Sequence, residues 1–199
     1  RDPVDFSNIP DYLKQATVAV EDKSFYSHSG IDLLTPLRII KNVFYFGKVT
    51  GGSTLTQQLT RNVLLTTERS ITRKIKEIIL SIQIDARYSK DEILGMYLNE
   101  APYGGASWGV APAAEQYFGK EVSQLDLAES AILAGLPQLP SVYSPYSSTP
   151  DAYKNRTKHV LDRMVEDGYI SQDLADETMK EVENYEFQDQ KSTMQAPHF

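Results

Sequence analysis

Apolar residues recur at three- and four-residue intervals along most of the chain, a spacing that predicts a series of helices and few strands. Near the start, Ile9, Tyr12, Leu13, Ala16 and Val20 share one face, and Pro10 suits a first helical position. Thr54-Leu-Thr-Gln57 and Ser89-Lys-Asp-Glu92 match the capping box, in which the first side chain caps a backbone N–H and the fourth reaches back, so each opens a helix. Leu125 to Leu136 reads as a further apolar helix, ended by LPQLPSVYSP. Thr149-Pro150 starts another that turns Val160, Leu161, Met164 and Val165 inward and stops at Gly168, and Ser171 caps a last one. No internal repeat interrupts the series, and the predicted fold class is mostly α, in one compact domain.

Two segments break the ordinary amphipathic rhythm. Residues 31 to 52, IDLLTPLRIIKNVFYFGKVTGG, are too apolar for a surface and too short to span a bilayer. They read either as core or as a lobe that dips into a membrane interface, with Arg38, Lys41 and Lys48 near lipid headgroups. Residues 70 to 88 carry Ile78, Ile79, Leu80, Ile82 and Ile84, apolar almost all round, which predicts a central buried helix. Arg73 and Glu77 share the face of Leu80 and Ile84, so charge reaches the edge of that core, as a structural ion pair or as the lining of a cleft.

Composition narrows the function. With 41% apolar residues, 12 Tyr and 7 Phe in 199 positions, the chain is long and apolar enough for a substantial core. A formal net charge of -7 argues against a general nucleic-acid binder, so any basic site must be local. The absence of cysteine removes disulfides and thiolate metal sites and leaves the redox compartment open. The chain opens with Arg1, has no signal peptide or membrane span, and ends abruptly in STMQAPHF, which predicts a longer parent protein on both sides.

The candidate chemistry begins with Glu21 and Asp22, which the first helix places in its last turn. Carboxylates there face the negative pole of the helix, a setting that favours the protonated form and suits a base working near neutral pH. The bland alternative is a solvated acidic turn. GGST, residues 51 to 54, brings Ser53 and Thr54 to a helix start as in anion-binding sites, but lacks the Lys-Ser/Thr pair of a nucleotide loop. Along that helix Gln57 and Arg61 share one stripe, and Gln58 and Asn62 the next. Arg61, Arg69, Arg73, Lys74 and Lys76 all precede Glu77, and such a cluster would satisfy a diphosphate-sized anion. Two separated carboxylates with a phosphate cradle suggest sugar transfer from a phosphate leaving group, while the carboxylate pair alone would equally serve glycoside hydrolysis.

EDKSFYSHSG, GGSTLTQQLTRN, RKIKE, SKDEILGMYLN and LAESAILAGLPQLPSVYSP follow one another in the order and approximate spacing of five motifs, and by them the chain resembles the peptidoglycan glycosyltransferases, glycosyltransferase family 51. These occur alone or as the N-terminal module of class A penicillin-binding proteins. The resemblance covers nearly the whole chain. It implies a lysozyme-like helical head and a smaller membrane-associated jaw, which would fall at about residues 31–52. It also implies one glycosyltransferase domain over 1–199, with 190–199 starting a linker to a downstream transpeptidase.

The implied activity is polymerisation of lipid II into glycan at the extracytoplasmic face of the cell membrane, with inhibition by moenomycin. No obligatory cofactor and no protein metal site are implied, leaving room for a divalent cation such as Mg. The implied partners are lipid II, the growing glycan strand and the membrane surface, without nucleic acid. Glu21 matches the general base acting on the acceptor's 4-hydroxyl, and Glu77 the second essential carboxylate on the donor side. Arg61, Arg69, Arg73, Lys74 and Lys76 match positions associated with the donor's diphosphate, Arg61 standing where Lys is commoner. Asp22, Phe25, His28, Thr54, Gln58 and Asn62 match cleft residues, and His28 also reads as a packed structural histidine. Gly95 replaces an acid usual in the fourth motif, and NEAPYGGASWG departs from the usual pattern after that helix. A lysozyme-like hydrolase or lytic transglycosylase, and an inactive glycan- or lipid-binding module, stand as the rival readings.

Overall fold

The computed structural model describes residues 3–32, 52–64, 70–105, 107–149 and 151–188. Its helices are α1 (Asp11–Glu21), α2 (Leu55–Leu64), α3 (Ile71–Asp85), α4 (Lys90–Glu100), α5 (Val110–Phe118), α6 (Leu127–Gly135), α7 (Pro140–Tyr143), α8 (Ala152–Glu166) and α9 (Gln172–Glu183). Between α4 and α5, Pro102–Gly104 and Ser107–Trp108 form a short antiparallel ladder, β1 and β2, in the segment where the motif pattern lapses.

The helix ends follow local chemistry. Thr54 N–H donates to Gln57 Oε1 at 2.9 Å, and Gln57 N–H donates back to Thr54 Oγ1 at 3.1 Å, the expected capping box at the start of α2. Ser89 and Glu92 form the second, Asp126 and Glu129 a third ahead of α6, and Ser171 caps α9. Pro10 stands at the N-cap of α1, and α8 ends two residues before Gly168.

The core forms where α1, α6 and α8 pack on one another. Every residue of α6 is buried. Helix α1 contributes Leu13, Ala16, Val18 and Ala19, and α8 contributes Tyr153, Val160, Leu161 and Met164. Tyr12, placed on the inner face of α1 by spacing, is 41% exposed. Helix α2 packs on α3 and α4, and α4 adds Ile93, Leu94, Tyr97 and Leu98 to the same core. Gly95 lies there beneath Phe6, where an added Cβ would meet the ring at 3.2 Å, so close packing explains the absence of a side chain.

Helix α3 is not the central buried helix that its apolar run predicts. Only Glu77 and Ser81 are buried, while Ile75 is 52% exposed, Ile79 50% and Ile82 42%. The cause is a polar contact stripe: Ser81 and Thr60 hydroxyls lie 3.2 Å apart, and Thr56 donates to Asp85 Oδ2 at 3.3 Å. Small polar residues let α2 and α3 meet there, and the larger apolar residues take the flanks. Gly30 presses on the same helix: with φ +80°, its missing Cβ would lie 2.5 Å from the Ser81 carbonyl oxygen.

Of the proposed jaw at residues 31–52, only 31, 32 and 52 are described, and the 190–199 linker lies outside the described residues.

Candidate active site

Glu21 is the last residue of α1, and its side chain is only 8% exposed. Both carboxylate oxygens are held: Arg156 donates from Nη2 to Oε1 at 3.0 Å, and Gln58 donates from Nε2 to Oε2 at 2.9 Å. Burial raises the pKa of Glu21, outweighing the lowering by the Gln58 bond and by the positive Arg156 and Arg61. The helix end delivers the acid, and desolvation raises its affinity for a proton.

Arg156 escaped the sequence reading. Its side chain is 7% exposed, and its Nε donates to the Gly135 carbonyl at 3.2 Å, so one guanidinium ties α8 to both α6 and α1. The available signal was an arginine on the apolar stripe of α8, spaced with Tyr153, Val160 and Met164. Tyr97 was missed as well, and its hydroxyl lies 3.3 Å from Gln58 Oε1.

Asp22, Phe25 and His28 form a neighbouring cluster. Asp22 Oδ2 accepts the backbone N–H of Leu55 at 2.9 Å and lies 2.8 Å from His28 Nε2. The ring of Phe25 is fully buried and meets His28 edge-on, with the Lys90 ammonium 4.8 Å from its centroid. Phe25 therefore belongs to the core under the cleft and offers a substrate no surface. Thr54 and Gln57 are likewise buried and engaged in the capping box, and Thr54 also donates to the Gly30 carbonyl at 2.7 Å. Gln58, Arg61 and Asn62 remain half-buried on α2, and Ser53 is half-buried just before it.

Glu77 is 3% exposed near the middle of α3. Its partner is Lys74, one turn earlier, whose Nζ bonds Oε1; the expected Arg73–Glu77 pair does not appear. Instead Arg73 keeps a buried Nε without a hydrogen-bond partner among the described residues. At i,i+3 Lys74 lies on the same helix face as Glu77, as Arg73 does at i,i+4. Lys74 also reaches Ser53 Oγ at 3.5 Å, which brings Ser53 beside α3. Lys76 is exposed, Arg61 acts electrostatically on Glu21, and Arg69 lies outside the described residues. No group of three or more His, Cys, Asp or Glu among the described residues could hold a metal ion.

Glu21 is a buried acid held at both oxygens on one helix and Glu77 a buried acid beside an exposed cation on another, and residues 1–165 match the transglycosylase family. The chain belongs to that family. It is 45% identical over 190 residues to penicillin-binding protein 1A of Clostridium botulinum (strain Langeland), covering 91% of this chain and 23% of that protein. It is 42% identical over 199 residues to penicillin-binding protein 1A of Escherichia coli (strain K12), covering 100% of this chain and 23% of that one. The crystal structure of penicillin-binding protein 1A from Haemophilus influenzae matches with a TM-score of 0.56 and 27% identity, over 96% of this chain and 19% of that one. The chain thus spans about a quarter of the length of the curated relatives it matches. Its mostly α fold is that of the transglycosylase module in these proteins.

Proposed function

We propose that the chain is a peptidoglycan glycosyltransferase that polymerises lipid II into β-1,4-linked glycan strands. In this reading the acceptor's 4-hydroxyl oxygen bonds to the donor's anomeric carbon, its proton passes to Glu21, and the C–O bond to the diphosphate breaks. The electron pair leaves with undecaprenyl diphosphate, and the α link becomes β. The observation that carries the reading is the burial of Glu21, which raises its affinity for a proton while Arg156 and Gln58 hold it in place.

Glu77 stands on the donor side with Lys74 beside it, and the exposed part of that ammonium is available to the diphosphate. Arg61, Arg69, Arg73 and Lys76 are assigned to the same anion, and Ser53, Thr54, Gln57, Gln58, Asn62, Asp22 and His28 to shaping the cleft. The reaction requires no cofactor, with a divalent cation such as Mg an accessory to the diphosphate. The work takes place at the extracytoplasmic face of the cell membrane, with the 31–52 segment as the membrane-associated jaw. No helix among the described residues is long and apolar enough to cross a membrane.

The test is incubation with labelled lipid II in detergent or bilayers, followed by separation of glycan products, with Glu21→Gln as control. Polymer from the wild type and none from the folded variant is the expected result. Sugar released from preformed glycan without new polymer would favour the hydrolase.

A further inference from the structure

We infer that Tyr97 is a positioning residue: through Gln58 it orients the hydrogen bond to Glu21 and lets that bond adapt when the acid takes a proton. The inference rests on the reading of Glu21 as general base. The geometry is a three-member chain across three helices. The Tyr97 hydroxyl lies 3.3 Å from Gln58 Oε1, and Gln58 Nε2 lies 2.9 Å from Glu21 Oε2. Tyr97 is 1% exposed in the core, so its hydroxyl cannot turn to bulk water.

Hydrogen-bonding capacity fixes the order of this chain. An ionised carboxylate accepts only, so Gln58 must show Glu21 its NH2 group. Its carbonyl then faces Tyr97, whose hydroxyl must donate. A guanidinium donates only, and Arg156 occupies Oε1, so a proton arriving at Glu21 settles on Oε2, the oxygen that Gln58 faces. An O–H there is a donor, and the amide meets it by reversing, carbonyl toward Glu21 and NH2 toward Tyr97. A phenol hydroxyl accepts as readily as it donates, so Tyr97 serves both orders. A phenylalanine serves neither, and the end of the amide that faces the core would be left unpaired in each state.

The other groups acting on Glu21 are Arg156 from α8 and Arg61 from α2, which favour its ionised form, and the adjacent Asp22, which opposes it. Tyr97 and Tyr103 also lie within its field, and burial pushes both phenols up, so neither carries charge in the working range. Tyr97 therefore acts only through its O–H dipole. Without it both states lose a bond, but the ionised state loses more, because the Gln58 N–H that Tyr97 polarises there meets a full charge, so the carboxyl should titrate at higher pH.

The experiment follows the Glu21 carboxyl by carbon-13 NMR across pH in the wild type, Tyr97→Phe and Tyr117→Phe. Tyr117 is a suitable control because it is a buried tyrosine whose hydroxyl donates elsewhere, to the Tyr103 carbonyl at 2.8 Å. Tyr97→Phe should raise the Glu21 midpoint by at least about 0.5 pH unit, and Tyr117→Phe should leave it in place. Lipid II polymerisation should show the acidic limb of kcat moving in the same direction, with KM within about twofold of the wild type. An unmoved Glu21 midpoint overturns the inference. A moved midpoint that the activity profile does not follow upholds the positioning role and instead removes Glu21 as the base. Gln58→Met cuts the chain at its middle link, so adding Tyr97→Phe to it should move the midpoint no further. A further shift of the same size would also overturn the inference.

Discussion

Leu55 gives its backbone N–H to Asp22, 33 residues earlier, so the first turn of α2 is capped by the residue that follows the candidate base. Asp22→Ala should cost about 1–2 kcal/mol through that cap, and it also deprives His28 of its partner. Asp22→Asn keeps an acceptor for Leu55 and should lose less. Urea unfolding of both variants ranks them, and equal losses would show that the cap contributes nothing.

Glu21→Gln should lower polymerisation by about 10²–10⁴-fold, because an amide cannot take the acceptor's proton. Its stability carries a pH signature. Glu21 binds its proton more tightly in the folded chain than at the usual glutamate value of 4.5. The stabilisation linked to that proton is therefore complete below 4.5 and is lost as pH rises through the elevated folded value. Glutamine removes this slope, so the variant should gain on the wild type as pH rises from 4.5 through the elevated folded value. Unfolding free energies with parallel pH dependence in the two proteins would contradict the raised proton affinity.

Arg156→Ala leaves Glu21 buried without its ion partner, a change that should cost about 3–5 kcal/mol near neutral pH. The loss should shrink in acid, where Glu21 is protonated and needs no counter-charge. Arg156→Lys keeps the charge but cannot reach Gly135 and Glu21 from one fork, so it should fall between. Denaturation at two pH values checks both the ranking and its direction.

Lys74→Ala should weaken binding of a lipid-diphosphate donor by about 1.5–3 kcal/mol, and binding of a diphosphate-free glycan hardly at all. Moenomycin, which the family resemblance implies as an inhibitor, should lose affinity in parallel if it shares that anion site. The variant also strips a partner from buried Glu77, so a melting curve must accompany the titration. Equal affinity for donor in a folded Lys74→Ala protein would take the ammonium out of the diphosphate site.

Gly95→Ala offers about 1 kcal/mol in helix propensity, yet it should bring no gain here, because the new methyl meets the Phe6 ring. In a Phe6→Ala background the crowding is gone and the propensity gain should appear. A stabilised single mutant would show that Phe6 yields easily.

Features governed by near neighbours were legible in the sequence. Thr54 with Gln57, Ser89 with Glu92, and Ser171 announce their helices because a cap and its N–H lie within one turn. Glu21 was legible for the same reason, as the acid ending an amphipathic helix. Partnerships over long separations were not. Arg156 meets Glu21 across 135 residues and Tyr97 meets Gln58 across 39, and no local rule encodes either pairing. Helix α3 misled because its hydrophobic count says nothing about which face meets α2, and the inner face belongs to Glu77 and Ser81. The separate partners of Arg61 and Lys74 were hidden in the same way, since a run of cations in sequence does not reveal which acid each will face.

Gly30 carries no functional group, yet it touches both the helix that bears Glu77 and the start of the helix that bears Gln58. Its backbone presses on the Ser81 carbonyl, one turn beyond Glu77 on α3, and its own carbonyl accepts from Thr54, which opens the helix bearing Gln58. The missing side chain acts as a spacer of zero thickness. A methyl group there would work as a shim, pushing the loop that carries His28 away from α3. The spacing between that loop and α3 is thus set by an atom the protein does not have.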